Sequence, residues 1–186
     1  TGAVQPKLSK MNLVNIPILI PKSIPEQKAI ASILTSFDDK IELLQAQNET
    51  LETIAQTIFK EWFGKYQVGD ELPEGWRVGK LDSVTKIVGG ATPSTKNPEY
   101  WGGSIHWTSP KDLSNSKEMF LLTTEKNITI EGLMKISSGL LPVGTLLLSS
   151  RAPVGYLSIT TIELAINQGY IALLPKQFFS NYYMYL

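Results

Sequence analysis

The stretch that decides the fold is residues 23–65, SIPEQKAIASILTSFDDKIELLQAQNETLETIAQTIFKEWFGK. Ser23 and Glu26 have the S-x-x-E spacing of a capping box, and Pro25 lies in the first turn, where a helix tolerates proline. Neither proline nor glycine follows until Gly64, which stands where a left-handed C-terminal cap is usual. The stretch therefore predicts one helix of about 39 residues, a rod of roughly 58 Å.

The apolar residues of this helix recur at alternating spacings of four and three, a heptad pattern with a period of 3.5. In that register Asn48 is the only polar residue, and it occupies an a position, where a buried asparagine fixes register and partner. The pattern predicts a coiled-coil strand; the alternative is a stripe that packs on the chain's own globular part. The predicted interface consists of Ile30, Leu34, Phe37, Ile41, Leu44, Asn48, Leu51, Ala55, Ile58 and Trp62.

The residues on either side of the helix have a different character. Residues 1–22 have the composition of an irregular tail, in which the apolar run at residues 16–20 predicts one edge strand. Residues 66–186 are rich in Gly and Pro turn signals that separate short β-type runs. The chain is therefore predicted to be α+β, a mixed, mostly β domain attached to a long coiled-coil helix. Its predicted strands are Trp76–Leu81, Ile105–Thr108, Gly144–Ser149, Tyr156–Thr161 and Tyr170–Leu174, with short helices at Ile130–Ile136, capped by Thr129, and from Ser180 or Asn181.

The composition narrows the classes of function. The 186 residues carry 17 basic and 17 acidic side chains, so the formal net charge is zero. A net charge of zero indicates neither a nucleic-acid partner nor a membrane partner. The charges are unevenly spread, because three lysines face seven acids between Pro25 and Phe63, whereas ten bases meet ten acids from Tyr66 onward. With no cysteine and one histidine, His106, the chain has no thiolate chemistry and no multi-histidine metal site, which fits a reducing, cytoplasmic location.

Catalytic signatures are absent from the sequence. Residues 97–100, NPEY, are similar to the N-P-P-Y loop of amino-methyltransferases, but Glu99 replaces the second proline. The chain also lacks the strand, glycine-rich loop and helix that a methyl-donor site requires. Residues 75–80 are one residue short of a phosphate-binding P-loop, and His106 has no positioned nucleophile or acid beside it. We therefore expect neither enzyme activity nor a cofactor.

Two polar loops have the composition of a DNA-reading surface. Residues 89–112 mix small hydroxyl residues, lysines and aromatic rings, and residues 149–155 contain Arg151, one of the two arginines of the chain. Hydroxyl, amide and lysine groups suit phosphate oxygens, and Asn, Lys and Arg can address base edges. The alternative is an ordinary cluster of polar turns whose aromatic rings lie in the core.

Three stretches together resemble the specificity subunits of type I restriction–modification systems. Residues 16–42 resemble the end of one target recognition domain passing into a spacer helix, through IPILIP, PEQKAI and DDKIE. Residues 72–113 resemble the opening of a recognition domain, through LPEGW, GGATP, IHW and PKDL, although His106 stands where the family often has proline. Residues 139–151, GLLPVGTLLLSSR, resemble its central strands. Each string is short, whereas their order and spacing are specific.

The resemblance implies a non-catalytic reader of double-stranded DNA. In that family two target recognition domains each bind one half of a bipartite site in the major groove, and two antiparallel spacer helices fix the separation. Methyltransferase (M) subunits dock on the spacer and carry the cofactor and the chemistry, and restriction (R) subunits join them. The rival function is a coiled-coil assembly module whose globular part binds protein, and only a DNA reader would lose affinity steeply as salt rises.

The resemblance also divides the chain into parts. Residues 1–22 correspond to the terminal strand of a recognition domain, residues 23–65 to the spacer helix, and residues 66–186 to a recognition domain that is C-terminally incomplete. This division implies a helix partner from a second repeat or a second copy. The polar loops, together with Lys86 just before the first of them, then supply the candidate DNA contacts Lys86, Thr92, Ser94, Thr95, Lys96, Asn97, Tyr100, Ser109, Lys111, Ser150 and Arg151.

Overall fold

The computed structural model describes the chain with four gaps, over residues 10–114, 118–151, 153–176 and 179–186. The chain divides into two compact units, Thr1–Ile58 and Phe59–Leu186. Within the described ranges, none of the helices combines the length and the apolarity that crossing a bilayer demands.

A single long helix dominates the first unit. Helix α1 is short, Lys10–Val14, and helix α2, Ile24–Phe63, has 40 residues, which confirms the predicted helix. Its first turn is capped by Ser23, whose Oγ accepts a hydrogen bond from the backbone N–H of Glu26 at 3.4 Å. At 1.5 Å per residue α2 is about 60 Å long.

The C-terminal end of α2 differs from the prediction. Gly64 does not adopt the left-handed conformation; its N–H donates to the carbonyl oxygen of Lys60 at 2.9 Å and so continues the helical ladder. A Cβ on Gly64 would lie 2.8 Å from that same oxygen, so the position favours glycine because of close approach rather than because of positive φ. The N–H of Tyr66 then donates to the carbonyl oxygen of Phe63, which closes a turn.

The apolar seam of α2 faces solvent in this single chain. None of the residues of Ile24–Phe63, all of which the structure describes, is buried. Leu44 keeps 46% of its surface exposed and Phe37 keeps 63%.

The tail before α2 has no strand over its described residues. Residues 16–20 are irregular, so the predicted edge strand is wrong, and the five residues before Asn15 are helical instead. An edge strand needs a neighbouring strand to complete its hydrogen bonds, and Pro17 and Pro21 lack backbone donors. The first unit offers such a segment no sheet within its described part.

The second unit contains eight described strands and three short helices, which confirms an α+β architecture. The strands are β1 (Thr85–Gly89), β2 (Trp101–Thr108), β3 (Phe120–Leu121), β4 (Lys126–Ile128), β5 (Leu146–Ser149), β6 (Leu157–Thr160), β7 (Leu164–Ile166) and β8 (Tyr170–Pro175). The helices are α3 (Pro110–Ser114), α4 (Ile130–Leu133) and α5 (Asn181–Tyr185).

The strands form two mixed sheets. The larger has the order β1-β8-β5-β6-β3 and is antiparallel except for the β3–β6 pair. The smaller has the order β4-β2-β7, in which β2 runs antiparallel to β4 and parallel to β7. The strands β1 and β8 pair Thr85 with Pro175 and Gly89 with Ile171, so the two ends of the unit's sequence meet in the larger sheet.

Most of the predicted elements of this unit are present. The predicted strands at 105–108, 144–149, 156–161 and 170–174 overlap β2, β5, β6 and β8, and Thr129 and Ser180 cap α4 and α5. The predicted strand at 76–81 is wrong. The indole of Trp76 instead stacks on Phe63, with ring centroids 5.2 Å apart, and this aromatic packing takes the place of ladder hydrogen bonds.

Buried apolar residues hold each sheet to the segments around it. One cluster gathers Leu113, Leu147, Leu164 and Tyr170 with their neighbours from both sheets. A second cluster contains Trp107, Ile128 and Ala165 of the smaller sheet together with Ile136, which follows α4. The strands that carry the loops are therefore held by a packed hydrophobic core.

Candidate nucleic-acid interface

The turn between β7 and β8, residues 166–170, is the point where the predicted loops meet. On one side it holds the first loop: the N–H of Ala91 donates to the carbonyl oxygen of Ile166 at 2.9 Å. The hydroxyl of Thr92 donates to Oε1 of Gln168 at 2.6 Å, and both side chains are exposed. We call residues 166–170 the gathering turn.

The gathering turn also holds two further loops. One is the part of the stretch 89–112 that follows β2, and the other contains Ser150 and Arg151. The N–H of Asn167 donates to the carbonyl oxygen of Thr108 at 3.0 Å. The hydroxyl of Tyr170 donates to the carbonyl oxygen of Ser109 at 2.9 Å. The backbone N–H and the hydroxyl of Ser150 both donate to the carbonyl oxygen of Gly169, at 2.8 and 3.1 Å. Three loops therefore contact one turn: the parts of the predicted stretch 89–112 that lie before and after β2, and the loop that contains Ser150 and Arg151.

A glycine makes this assembly sterically possible. A Cβ on Gly90 would lie 2.1 Å from the carbonyl oxygen of Ile166 and 2.4 Å from that of Asn167. The neighbouring Gly89 has open space at the same position. The backbone at Gly90 is therefore pressed directly against the gathering turn.

Two indole rings hold the loop that follows Gly90. Nε1–H of Trp107 donates to the carbonyl oxygen of Ala91, and Nε1–H of Trp101 donates to that of Ser94, each at 3.2 Å. The two rings meet edge to face with centroids 5.0 Å apart. Trp107 is 5% exposed, so it belongs to the core, as the alternative reading of this loop expected for the aromatic rings.

The NPEY segment is a turn. Oδ1 of Asn97 accepts a hydrogen bond from the N–H of Glu99 at 3.1 Å and so caps a 3-10 turn at Pro98–Tyr100. The ring of Tyr100 lies under the ammonium group of Lys135, with Nζ 5.7 Å from the ring centroid. The side chain of Asn97 therefore serves the local backbone.

An aspartate ties the second loop to the segment before β4. Oδ2 of Asp112 accepts from the N–H of Ser109 at 2.8 Å, and Oδ1 accepts from the N–H of Glu125 at 2.8 Å. Beside it, Nζ of Lys111 donates to Oε2 of Glu125 at 2.8 Å. The hydrogen bond and negative charge of Glu125 raise the pKa of Lys111, so Lys111 stays protonated at neutral pH.

Burial affects one further titratable group of the site. Tyr170 is 1% exposed, and removal of its hydroxyl from water raises its pKa well above the ordinary value for tyrosine. The hydroxyl therefore stays protonated over the physiological range and remains a donor to Ser109.

A cleft of about 440 Å³ lies beside Trp101, lined also by Thr95, Gly102, Glu125, Lys126 and Asn127. The cleft opens where β2 is irregular, because its register with β4 shifts between Trp101 and Ile105 and Gly102 has a φ of +77°. Nζ of Lys126 lies over the indole, 5.7 Å from its centroid.

The remaining predicted contact residues fall in different places. Ser94, Thr95 and Lys96 are exposed on the first loop, and Arg151 is exposed beside Ser150. Lys86 is exposed on β1, where it pairs with Leu174 in the sheet and does not belong to the contacts of the gathering turn.

Sequence reasoning missed Gln168, Lys126 and Asn127. Gln168 follows an apolar strand of three residues, and the spacing around it carries no motif. Lys126 could be found only from the pairing of β4 with β2, which places Lys126 opposite Trp107.

His106 on β2 has Nδ1 3.0 Å from Oγ1 of Thr124, so its ring is engaged in local structure. Over the described residues, no group of three acidic, histidine or cysteine side chains could hold a metal ion.

Comparisons with known proteins agree with this architecture. The chain is 42% identical to the MjaIX specificity subunit of Methanocaldococcus jannaschii over 62% of its length, which covers 27% of that protein. It is 25% identical to the HindI specificity subunit of Haemophilus influenzae over 97% of its length and 53% of that protein. It is 28% identical to the EcoR124I/EcoR124II specificity subunit of Escherichia coli over 96% of its length and 44% of that protein. The chain thus spans about half or less of the length of these relatives.

Solved structures show the same fold. The crystal structure of the HsdS subunit from Thermoanaerobacter tengcongensis matches all of this chain and 46% of its own, with a TM-score of 0.53 at 20% identity. A structure of a type I restriction–modification system, described in terms of complex assembly and conformational transition, matches 86% of this chain and 40% of its own, with a TM-score of 0.52 at 21% identity.

The family described as "Type I restriction modification DNA specificity domain" matches residues 1–53 and 73–186. This match covers most of the sequence, including α2 as far as residue 53 and both sheets. The chain therefore belongs to the family of type I restriction–modification DNA specificity domains.

Proposed function

We propose that this chain reads one half of a bipartite site in double-stranded DNA as part of a type I restriction–modification complex. The observation that carries the proposal is the gathering turn, which joins three polar loops on a rigid support through Thr92, Ser109 and Ser150. Such an arrangement suits recognition of DNA, because side chains must be held in fixed positions to read base edges.

The groups on this surface have the chemistry that DNA contacts require. Gln168 is oriented by the hydroxyl of Thr92, which leaves its amide N–H donors free for a base edge or a phosphate. The exposed guanidinium of Arg151 can approach guanine or phosphate. We propose as DNA contacts Lys86, Thr92, Ser94, Thr95, Lys96, Asn97, Tyr100, Ser109, Lys111, Ser150 and Arg151, and add Gln168 to them.

We assign no catalytic role to the chain. In this proposal the methyltransferase subunits bring the cofactor and the methyl transfer, and the restriction subunits bring cleavage. The chain then acts where these partners and the DNA are found, in the cytoplasm. Methyl transfer by the chain alone would overturn this assignment.

Helix α2 is proposed to act as a spacer that pairs antiparallel with a second helix, from a second repeat or a second copy. Its exposed heptad seam supports this pairing. Phe37 and Leu44 are 63% and 46% exposed, so burial would contribute for each roughly half of the about 1.5–3 kcal/mol that full burial of an exposed apolar side chain provides. Its length of about 60 Å exceeds the 34–36 Å of one helical turn of DNA, so it can separate two half-sites. Methyltransferase subunits would dock on it.

The parts of the chain follow from this proposal. Residues 1–22 would complete a recognition domain, residues 23–65 would form the spacer, and residues 66–186 would form the recognition domain that carries the gathering turn.

The helix pairing can be tested by sedimentation of the chain at micromolar concentration. Leu44→Asp places a charge in the seam at a d position and is expected to abolish self-association. Leu43→Asp makes the same change one residue earlier, at the outward c position, and should leave association intact. A monomeric unmodified chain, or equal effects of the two substitutions, would contradict the pairing.

The DNA reading can be tested by measuring affinity for duplex DNA against salt concentration. A DNA reader should lose affinity steeply as salt rises, because each phosphate contact releases a counterion. Gln168→Ala should weaken binding, whereas the same change at Gln56, an exposed residue of α2, should not. Binding that does not respond to salt would favour the rival function, a coiled-coil assembly module whose globular part binds protein.

A further inference from the structure

We propose that the cleft beside Trp101 seats one backbone phosphate of the bound DNA, that Lys126 contacts this phosphate, and that Lys111 makes the cleft receptive by neutralising Glu125. The inference rests on the DNA-reading function proposed above and assigns its phosphate contact to a residue outside the three loops.

Lys126 is placed to serve an anion. Its ammonium lies 5.7 Å from the centroid of the Trp101 ring, and a cation over an indole face is attracted by the ring's quadrupole. The ring therefore helps to hold the ammonium at the wall of the cleft, and an ammonium carries three N–H donors, more than one contact uses. Among the described residues the ion pair within 4 Å joins Lys111 to Glu125, so Lys126 forms no ion pair with a carboxylate there.

Neutral donors complete the cleft. The exposed Thr95 and the half-buried Asn127 line it together with Lys126. Hydroxyl and amide side chains are regular partners of phosphate oxygens in DNA complexes. The turn of backbone at Gly102, with φ of +77°, leaves the entrance without a side chain. The cleft therefore combines one cation, two kinds of neutral donor and an aromatic wall.

Glu125 is the one group of the lining that would repel a phosphate. Its carboxylate is held by Lys111 at 2.8 Å, and its backbone N–H is held by Oδ1 of Asp112 at 2.8 Å. Asp112 thereby fixes the segment so that Glu125 stays beside Lys111. The charge of Lys111 cancels that of Glu125. Lys111, one of the proposed DNA contacts, therefore acts on the phosphate through Glu125 as a positioning residue and does not touch the phosphate itself.

Phosphate contacts do not depend on base sequence, so a labelled duplex of mixed sequence is a sufficient probe. The full chain is titrated with this duplex between 50 and 200 mM salt. Lys126→Gln is expected to lower the slope of log affinity against log salt by about 0.9, the value for one phosphate contact on duplex DNA. Lys80→Gln, which removes the same charge from an exposed lysine before β1, should leave the slope unchanged.

A double-variant cycle separates the two roles of lysine. Lys111→Met leaves Glu125 unneutralised and should weaken binding three- to fivefold at 50 mM salt, roughly the effect of one unit charge a few ångströms from a phosphate in water. Lys111→Met combined with Glu125→Gln restores neutrality and should recover the original affinity. If Lys111 touched DNA directly, the combined variant would stay as weak as Lys111→Met, and that result would overturn its assigned role.

The outcomes distinguish this inference from the proposed function. Salt-dependent binding by the unmodified chain, together with equal slopes for the Lys126 and Lys80 variants, would refute the cleft while leaving DNA reading intact. Absence of salt-dependent binding by the unmodified chain would refute both. Thermal unfolding of each variant confirms that it is folded before its affinity is compared, and the exposed positions of Lys80, Lys111, Glu125 and Lys126 make unfolding unexpected.

Discussion

The contact between Gly90 and the gathering turn gives the sharpest prediction of stability. In Gly90→Ala the new Cβ would meet the carbonyl oxygen of Ile166 at 2.1 Å, whereas carbon and oxygen atoms not bonded to each other keep about 3.3 Å apart. The two backbones must separate by about 1 Å. The hydrogen bond from Ala91 to Ile166, now 2.9 Å, is then lost. Overpacking costs about 1–3 kcal/mol and the hydrogen bond about 1 kcal/mol, so we expect a loss of about 2–4 kcal/mol.

Urea unfolding followed by tryptophan fluorescence measures this loss as a shift of the midpoint at constant slope. Gly89→Ala is the matched control, because its Cβ meets nothing within 4 Å and its φ is not positive, so its stability should change by less than about 0.5 kcal/mol. If the two alanine variants unfold at the same urea concentration, Gly90 does not lie against the turn, and the turn does not hold the first loop.

Three further substitutions test the supports of the site. Trp101→Phe keeps an aromatic ring but removes the indole N–H that donates to the carbonyl oxygen of Ser94, so it should lower the free energy of unfolding in urea by about 1 kcal/mol. An unchanged free energy of unfolding would show that this hydrogen bond does not stabilise the fold. Thr129→Ala removes the cap of α4, whose hydroxyl accepts from the N–H of Gly132, and should cost about 1 kcal/mol, whereas Thr129→Ser should retain most of it. For Tyr170 the pKa is raised by burial in the folded state, so its contribution to stability is complete below about pH 10, the value in the unfolded chain, and declines as pH rises beyond it. Tyr170→Phe should flatten that decline in unfolding free energy measured from pH 9 to 11, and an unchanged decline would show that another group causes it.

The long helix was predictable because its signals are local. The cap at Ser23, the absence of helix breakers and the heptad spacing lie within one stretch, and none depends on the rest of the chain. Its end was predicted less well, because Gly64 is required by close approach to Lys60 and not by a left-handed turn.

The strands were predictable where apolar runs lie between glycine turns. The strands β5, β6 and β8 have this form, whereas Trp76 begins a β-type run that does not become a strand because its ring packs on Phe63. The strands β4 and β7 have three residues each, too few to show a period. They exist because they pair with β2, which is a tertiary effect that local propensity cannot express.

The candidate site was predicted in its loops and missed in its centre. Polar composition pointed to residues 89–112 and 149–155, but the turn that joins them has no motif of its own. Thr92 and Gln168 are separated by 76 residues, and Ser109 and Tyr170 by 61. Contacts of this range follow from the strand order, so they become visible only when the sheets are known.

The long-range contacts of the gathering turn also set the order of events during synthesis. Helix α2 closes only local hydrogen bonds and can form within about a microsecond. The contacts of the gathering turn cannot form until Tyr170 has been made, and at usual rates of synthesis that is roughly 5–20 seconds after Phe63. A nascent chain therefore presents its apolar seam for several seconds before the loops around the gathering turn are complete, so the proposed helix pairing can begin while those loops are still being synthesised.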